Sequence, residues 1–270
     1  NYNDTGRYGS TYNFVEEGLR LGNMLGRKLQ VRGEESSLKY SRKNSGKIDK
    51  RLLSELGFGN SNVFSQTFVE RFNQAYLHIS VDASGSMSGD KWNKAMTSAV
   101  AMIKACDMAG NIDVVVSIRT THSDRSGGYR RNNQGNVPLI MVVFDSRKDK
   151  LTKVRNLFPA LDVDGTTPEG LCFEAIEKDL IPGNNNQDSY FINYSDGCPY
   201  YGNSEIDYSG RVAERHTNKM VSNMRAKGIS VLSYFIGGKH SYDDENQAFK
   251  NMYGNDASFI NATNMMDVAK

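Results

Sequence analysis

Short apolar segments alternate with helical patterns from residue 75 to the end of the chain, and this alternation constrains the fold more than any other feature. The apolar segments are rich in β-branched and aromatic residues, which is typical of strands. They are Ala75–Asp82, Asn111–Thr120, Val137–Phe144, Tyr190–Ser195, Ile229–Ile236 and Ala257–Asn261. The helical patterns are Asp90–Ala109, Lys150–Phe158, Pro168–Leu180, Tyr208–Lys227, Glu245–Tyr253 and Asn264–Lys270.

Strands that are apolar on both faces and alternate with helices predict a mainly parallel sheet that is covered on both sides. The expected fold is therefore a three-layer α/β/α sandwich of Rossmann-like type. One connection between strands lacks a helix, because Thr120–Asn136 is long and polar and contains the basic segment Arg125–Arg131. We therefore expect Val137–Phe144 to run antiparallel at an edge of the sheet.

The first 74 residues do not follow this alternation. Leucines spaced by four predict a helix over Asn13–Val31, which its three glycines weaken. The polar segment Ser36–Ile48 predicts a loop or a hairpin, and Asp49–Leu56 predicts one short helix. We interpret residues 1–74 as a helical extension that packs on a main domain of residues 75–270.

The composition excludes several classes of protein. No segment approaches the roughly 18 consecutive apolar residues that a membrane span needs.

Cys106, Cys172 and Cys198 are far apart and form no Cys-x-x-Cys pair, which predicts reduced thiols and a cytoplasmic location. The sequence starts without Met and stops within a helical pattern, so we expect a fragment of a longer protein.

A basic stretch stands out against a net charge of only +2. Residues Arg20–Arg51 contain ten basic and three acidic residues, a net charge of +7. Such a stretch can be a solvated surface, or it can bind an acidic surface or a phosphate backbone. Nucleic-acid association through residues 20–51 and 125–131 is therefore one alternative function.

A loop with closely spaced oxygen donors follows the first strand of the main domain. Asp82, Ser84 and Ser86 supply one carboxylate and two hydroxyls at alternate positions. Hard oxygen donors of this kind suit Mg²⁺ or Mn²⁺, with water completing the octahedron. The alternative is that these side chains only cap the helix that begins near Asp90.

Two further segments can meet this loop. Gly165-Thr166-Thr167-Pro168 precedes a helix, and Tyr194-Ser195-Asp196-Gly197 lies at the end of a later strand. Both can emerge at the same edge of a parallel sheet as the first loop. This order of motifs resembles the metal-ion-dependent adhesion site of the von Willebrand factor A (vWA) family, and residues 75–270 resemble a complete domain of that family.

The vWA resemblance implies a set of metal ligands and a mode of action. The matching residues are Asp82, Ser84, Ser86, Thr167 and Asp196, with Thr166 as the alternative to Thr167 if the loop is shifted by one residue. In the family, the acidic residue matched by Asp196 usually holds the metal through water. The family leaves one coordination position open for an Asp or Glu of a partner protein. The resemblance therefore implies a metal-dependent protein-binding domain without catalytic activity of its own.

A narrower resemblance lies partly upstream of that domain. Arg20–Gln30, Gly46–Leu52 and Ser84–Trp92 are similar to the carboxyl-terminal part of CobT-type cobaltochelatase subunits. This resemblance implies an AAA+ ATPase of the CobS or MoxR class as a partner. No residues indicate a tetrapyrrole pocket.

The sequence lacks the residue patterns of zinc enzymes and of serine hydrolases. The four histidines are scattered and have no zinc-ligand spacing. Ser84 lies at a strand-to-helix turn, but its surroundings do not match the Gly-x-Ser-x-Gly elbow of hydrolases. A metal-assisted hydrolase is the second alternative function, although the sequence identifies no general base for it.

Three aromatic residues complete the predictions. Trp92 lies on the apolar face of its helix, which predicts a core position. Tyr200 and Tyr201, next to Pro199 in the loop after Asp196, would stand at the rim of the metal site. They either anchor a partner or are ordinary exposed loop residues.

Overall fold

The structure is a computed structural model of the chain. It describes residues 13–33, 36–70, 74–122, 137–184, 186–202, 206–237, 243–254 and 257–261. The protein has a mixed α/β fold built around a six-stranded sheet.

The strands are β1 (Ser36–Lys43), β2 (Lys47–Ile48), β3 (Phe64–Glu70), β4 (Gln74–Asp82), β5 (Ile112–His122), β6 (Val137–Asp145), β7 (Gln187–Ser195), β8 (Tyr201–Gly202), β9 (Asp207–Tyr208), β10 (Ile229–Gly237) and β11 (Ala257–Asn261). The helices are α1 (Phe14–Gly33), α2 (Leu53–Leu56), α3 (Asp90–Ala109), α4 (Leu151–Val154), α5 (Glu169–Asp179), α6 (Gly210–Ala226) and α7 (Asp243–Tyr253).

The six-stranded sheet has the order β11-β10-β7-β4-β5-β6. Strand β6 pairs antiparallel with β5, and the other neighbours pair parallel. The prediction of an antiparallel edge strand is therefore confirmed. Strand β4 lies between β5 and β7, so the loops that follow β4 and β7 emerge side by side at one edge of the sheet.

Alternate residues of the sheet belong to two different hydrophobic clusters. Leu77 and Val116 belong to one cluster, to which α1 and α3 contribute Phe14, Trp92 and further residues. Tyr76 and Val115 belong to the other, which contains residues of α5, α6 and α7. The two-residue period of a strand explains this division. Trp92 is buried, as predicted.

Helix α1 packs against α3 through its glycines. A Cβ atom on Gly22 would lie 2.6 Å from the Lys104 Cβ and 2.7 Å from the Ala101 carbonyl oxygen. Gly18 and Gly26 face α3 in the same way. The sequence predicted only that these glycines weaken the helix, whereas in the structure they let the two helices approach each other closely.

The segment after α1 differs from the prediction of a loop or hairpin over Ser36–Ile48. Strands β1 and β2 do not pair with each other, because β3 lies between them and is antiparallel to both. The sequence did not predict β3. The short helix predicted over Asp49–Leu56 is a 3₁₀ turn, Lys50–Leu52, followed by α2.

Among the other predictions, one helix is shorter than expected, and two segments have no counterpart to compare. The helix predicted over Lys150–Phe158 is α4 followed by a 3₁₀ turn at Phe158–Ala160. The predicted helix Asn264–Lys270 and the basic segment Arg125–Arg131 lie outside the described residues. Within the described residues, no helix combines the length and apolar character that crossing a membrane requires.

Candidate metal site

The candidate site begins at the carboxyl end of β4, where Asp82 is fully buried. Its Oδ1 atom accepts a hydrogen bond from the Ser84 backbone N–H at 2.9 Å. Its Oδ2 atom accepts one from the Ser195 hydroxyl at 3.2 Å. The carboxylate is therefore oriented both by its own loop and by the end of the neighbouring strand β7.

The two serines of the loop connect Asp82 to the acidic residue after β7. The hydroxyls of Ser84 and Ser86 are 3.0 Å apart. The Ser86 hydroxyl donates to Asp196 Oδ1 at 2.8 Å. Four of the five residues predicted as metal ligands are thus joined by hydrogen bonds at one edge of the sheet, counting the Asp82 bond to the Ser84 backbone.

The third predicted segment lies against the first. The Gly85 backbone N–H donates to the Gly165 carbonyl at 3.2 Å, and the Asp164 N–H donates to the Ala83 carbonyl at 2.9 Å. Gly165 has a φ of +76°, and a Cβ there would lie 2.5 Å from the Thr121 carbonyl oxygen. Only glycine suits this position, so the close contact between the two loops depends on Gly165.

Thr166 and Thr167 have different surroundings. The Thr121 hydroxyl accepts from the Thr166 backbone N–H at 2.8 Å and lies 3.3 Å from the Thr166 hydroxyl. Thr167 is buried, and its carbonyl accepts from the Tyr200 N–H at 2.8 Å. The Thr166 hydroxyl is therefore engaged with the end of β5, while the Thr167 backbone contacts the loop that follows Asp196.

The alternative that Asp82 and the serines cap α3 is wrong. The residue preceding α3 is Gly89, and no side chain caps that helix. The Asp82 carboxylate instead accepts from Ser84 within its own loop. These side chains therefore face the sheet edge and not the start of the helix.

Burial dominates the electrostatics of Asp82. It raises the pKa of the carboxyl group to about 6, above the usual 3.8. The Arg119 guanidinium opposes this shift, and the negative charges of Glu169 and Asp196 reinforce it. A buried carboxylate with a second one nearby is stabilised by any cation that binds between them.

A lysine that the sequence analysis did not select contacts the site. The Lys91 ammonium forms an ion pair with Asp196 Oδ2 and donates to the Ser86 carbonyl at 3.3 Å. Lys91 lies in the first turn of α3. Its position five residues after Ser86 gave no signal in the sequence, because the contact requires the fold to bring α3 and β7 together.

A buried ion pair lies beneath the site and was also missed. Arg119 of β5 and Glu169 of α5 are both fully buried and 2.7 Å apart. Arg119 also donates to the Ser80 hydroxyl at 3.1 Å, and Asn193 of β7 donates to Glu169 at 2.9 Å. A lone arginine within an apolar strand was the available signal, because a buried charge needs a partner.

The remaining predicted residues are divided between surface and core. Tyr200 is 53% exposed and stands next to Thr167, whereas Tyr201 is buried with Tyr208. The rim position predicted for Tyr201 is therefore wrong. Cys198 is exposed, and Cys106 and Cys172 are buried free thiols.

The donor set fits a hard divalent cation. It combines two carboxylates with serine hydroxyls, and among the described residues no cation is hydrogen-bonded to Asp82. Among the described residues, no three His, Cys, Asp or Glu side chains are grouped as a metal site. A site here would therefore rely on hydroxyl oxygens and water in addition to Asp82 and Asp196.

The basic stretch is spread over α1, β1, β2 and the turn before α2. Three of its arginines form ion pairs with carboxylates: Arg20 with Glu17, Arg42 with Glu55, and Arg51 with Asp49. These pairs reduce the positive charge that the stretch presents to an external partner.

No protein-family model matches the chain, and comparison with curated proteins finds no similar sequence. Two crystal structures of the pilus adhesin SpaC from Lactobacillus rhamnosus GG, one in an open conformation, are similar in structure, each with 12% sequence identity and a TM-score of 0.49. The similarity covers 76% of this chain and 31% of the adhesin, so the chain spans less than a third of that protein's length.

Proposed function

We propose that the chain contains a vWA-type domain whose adhesion site holds Mg²⁺ or Mn²⁺ and presents it to a protein partner. The observation that carries this proposal is the hydrogen-bonded group at the end of β4. Asp82, Ser84, Ser86 and Asp196 come from two separate loops, yet they lie within one continuous set of contacts.

The arrangement of the helices supports the family assignment. Helices α1 and α3 contribute to one hydrophobic cluster, and α5, α6 and α7 contribute to the other. That division is what a three-layer α/β/α sandwich of the vWA type requires. The carboxyl ends of β4 and β7 then form the edge at which ligands bind in such sheets.

The side chains have the chemistry that the metal needs. Asp82 would be a direct ligand, because its carboxylate is fixed by Ser84 and Ser195 and is fully buried. The hydroxyls of Ser84 and Ser86 would complete the first loop. Asp196, which accepts from Ser86, would act through water.

Thr167 is the better candidate of the two threonines. The Thr166 hydroxyl lies 3.3 Å from the Thr121 hydroxyl, and the backbone N–H of Thr166 donates to the same hydroxyl. The Thr167 side chain makes no hydrogen bond within the part of the chain that the structure describes. It would therefore be available for an ion, and its loop contacts the first loop where the Gly85 N–H donates to the Gly165 carbonyl.

The proposed partner supplies an Asp or Glu carboxylate. A bound divalent ion with an open coordination position carries positive charge. A carboxylate of the partner can neutralise this charge and fill the open position. Tyr200, exposed beside Thr167, offers an aromatic contact at the rim. Together these features favour binding of a protein segment in which an acidic residue is flanked by apolar ones.

An AAA+ ATPase of the CobS or MoxR class is the proposed partner machine, and the chain would recruit or couple a substrate to it. The resemblance to CobT-type subunits supports this proposal. Its first segment lies in α1, and its third ends in the first turn of α3, the helix against which α1 packs. The first segment therefore packs on the helix that begins within the third segment.

Nucleic-acid association and metal-assisted hydrolysis stay predictions from the sequence. Binding that falls steeply with salt and ignores chelation would indicate nucleic acid. Turnover of a substrate that depends on Asp82 would indicate a hydrolase.

Calorimetric titration of the chain with MnCl₂ and MgCl₂ tests the metal site directly. We expect saturable binding at one site, lost in Asp82→Ala and retained in Asp188→Ala, which changes an exposed carboxylate at the other end of β7. Capture of partners from native lysate, with and without EDTA, then tests presentation of the metal. Absence of binding by the wild-type chain, or equal binding by Asp82→Ala, would overturn the proposal.

A further inference from the structure

The Lys91 ammonium lies within the proposed metal site, where a second positive charge would repel the metal ion. Its ammonium contacts two groups of the site, the Asp196 carboxylate and the Ser86 carbonyl. The Asp196 side chain is only 2% exposed, whereas that of Lys91 is 25% exposed. The lysine therefore reaches inward from the surface to a carboxylate that is otherwise enclosed.

The charges around the site explain why a cation is favoured there. Asp82 and Asp196 are both buried, and Arg119, the cation that acts on Asp82, is paired with Glu169. Lys91 thus neutralises Asp196, which Arg119 does not contact. A buried carboxylate without a counter-charge would be costly, so the ion pair stabilises the metal-free site.

The Lys91 ammonium can move from Asp196 to solvent by rotation of its own side chain. It lies at the start of α3, and its long flexible stem lets the ammonium reach solvent without movement of the helix. The Ser86 hydroxyl already holds the other oxygen of Asp196. Departure of the lysine would therefore leave the carboxylate in place.

We propose that Lys91 is a tethered cation that competes with the metal for Asp196 and so sets the metal affinity of the site. This inference rests on the proposed metal site. When Lys91 is displaced, its ammonium moves to the rim, where it faces the acidic partner segment. The domain then presents two positive groups to a partner only after loading, and the empty site remains neutralised.

The size of the effect follows from the population of the ion pair. If Lys91 contacts Asp196 in about nine-tenths of metal-free molecules, its removal raises the apparent metal affinity about tenfold. A lysine that merely supported the loop would have the opposite effect, because its loss would loosen the ligands.

Calorimetric titration of the full chain with MnCl₂ tests this, using Lys91→Met with Lys94→Met as the matched control one turn later on α3. We expect Lys91→Met to bind Mn²⁺ about tenfold more tightly than wild type and Lys94→Met to bind equally. Lys91→Arg, which keeps the charge, should stay close to wild type. Unchanged or weaker binding by Lys91→Met would overturn the inference.

A double variant separates competition from a general effect of charge. In an Asp196→Asn background, Lys91→Met should no longer change the Mn²⁺ affinity, because the ion pair is already gone. Thermal melting in EDTA checks that each variant folds. If wild type and Asp82→Ala both fail to bind Mn²⁺, the proposed function fails; if only the Lys91→Met gain is missing, the competition alone fails.

Discussion

The Arg119 guanidinium and the Glu169 carboxylate meet at 2.7 Å with both side chains fully buried. The pair joins β5 to the start of α5, directly after the loop that contains Thr167. Asn193 of β7 donates to the same Glu169 oxygen, so three elements converge on one carboxylate. These contacts hold the start of α5, which directly follows the threonine loop, against β5 and β7.

Glu169→Gln should destabilise the fold strongly. The substitution keeps the shape but leaves the Arg119 charge without its closest partner, and breaking a buried pair in this way costs about 3 kcal/mol or more. Urea unfolding followed by circular dichroism measures the change. Glu174→Gln, on an exposed face of the same helix, should change the free energy of unfolding by less than about 0.5 kcal/mol. Equal effects of the two substitutions would contradict the prediction.

Gly22→Ala should lower stability although alanine favours helices. The helix propensity of alanine contributes about 1 kcal/mol in favour of the variant. Against this, the added Cβ would lie 2.7 Å from the Ala101 carbonyl oxygen, which belongs to the backbone and cannot move aside without separating the helices. We expect a net loss of about 1 to 2 kcal/mol in urea unfolding.

Asn23→Ala is the control for the Gly22 prediction. Asn23 is exposed on the same helix, so only propensity should act, and the variant should be as stable as wild type or slightly more so. If Gly22→Ala also gained stability, the close packing of α1 on α3 would be contradicted.

Local sequence patterns predicted the elements whose buried residues recur at regular spacing along the chain. The apolar periodicity of α3 predicted its range, Asp90–Ala109, and the structure has the same range. Strand β3 was missed because Phe64–Glu70 is a mostly polar segment whose partners are β1 and β2, distant in sequence. Its stability comes from pairing, which no local pattern reports.

The same distinction applies to the candidate site. The residues of the first loop could be predicted because their spacing is itself the signal. Lys91 and Glu169 could not, because each meets its partner across the fold: Lys91 contacts Asp196 and Glu169 contacts Arg119. Charged side chains next to a motif say little about which opposite charge they will meet.

His78 should make the protein less stable on acidification, and the raised pKa of Asp82 acts in the opposite direction. Burial, followed by the charge of Arg147, lowers the pKa of its imidazole to about 4, from 6.5. The unfolded chain therefore takes up a proton below about pH 6.5 that the folded protein refuses until about pH 4. This contribution to the free energy of unfolding is complete above pH 6.5 and is lost as the pH falls to 4. The loss is about 2 kcal/mol at pH 5.

Urea unfolding at pH 8 and pH 5 measures this loss. His78→Gln keeps an amide that can bond to the Ser117 hydroxyl, which lies 2.8 Å from the imidazole, and it removes the titration. The variant should lose about 2 kcal/mol less than wild type between the two pH values. The same pH dependence in both proteins would show that other groups are responsible.

Thr167 and Thr166 should respond differently to removal of their hydroxyls, although they are neighbours in sequence. The Thr166 hydroxyl and backbone N–H both contact the Thr121 hydroxyl, so Thr166→Ala alters only the anchoring of the loop to β5. Thr167→Ala removes a proposed metal ligand and should weaken Mn²⁺ binding about tenfold or more, whereas Thr167→Ser, which keeps the hydroxyl, should restore it. Calorimetric titration of the three variants measures the affinities, and melting in EDTA verifies their folds. A larger loss in Thr166→Ala than in Thr167→Ala would mean that the loop is shifted by one residue and that Thr166 is the ligand.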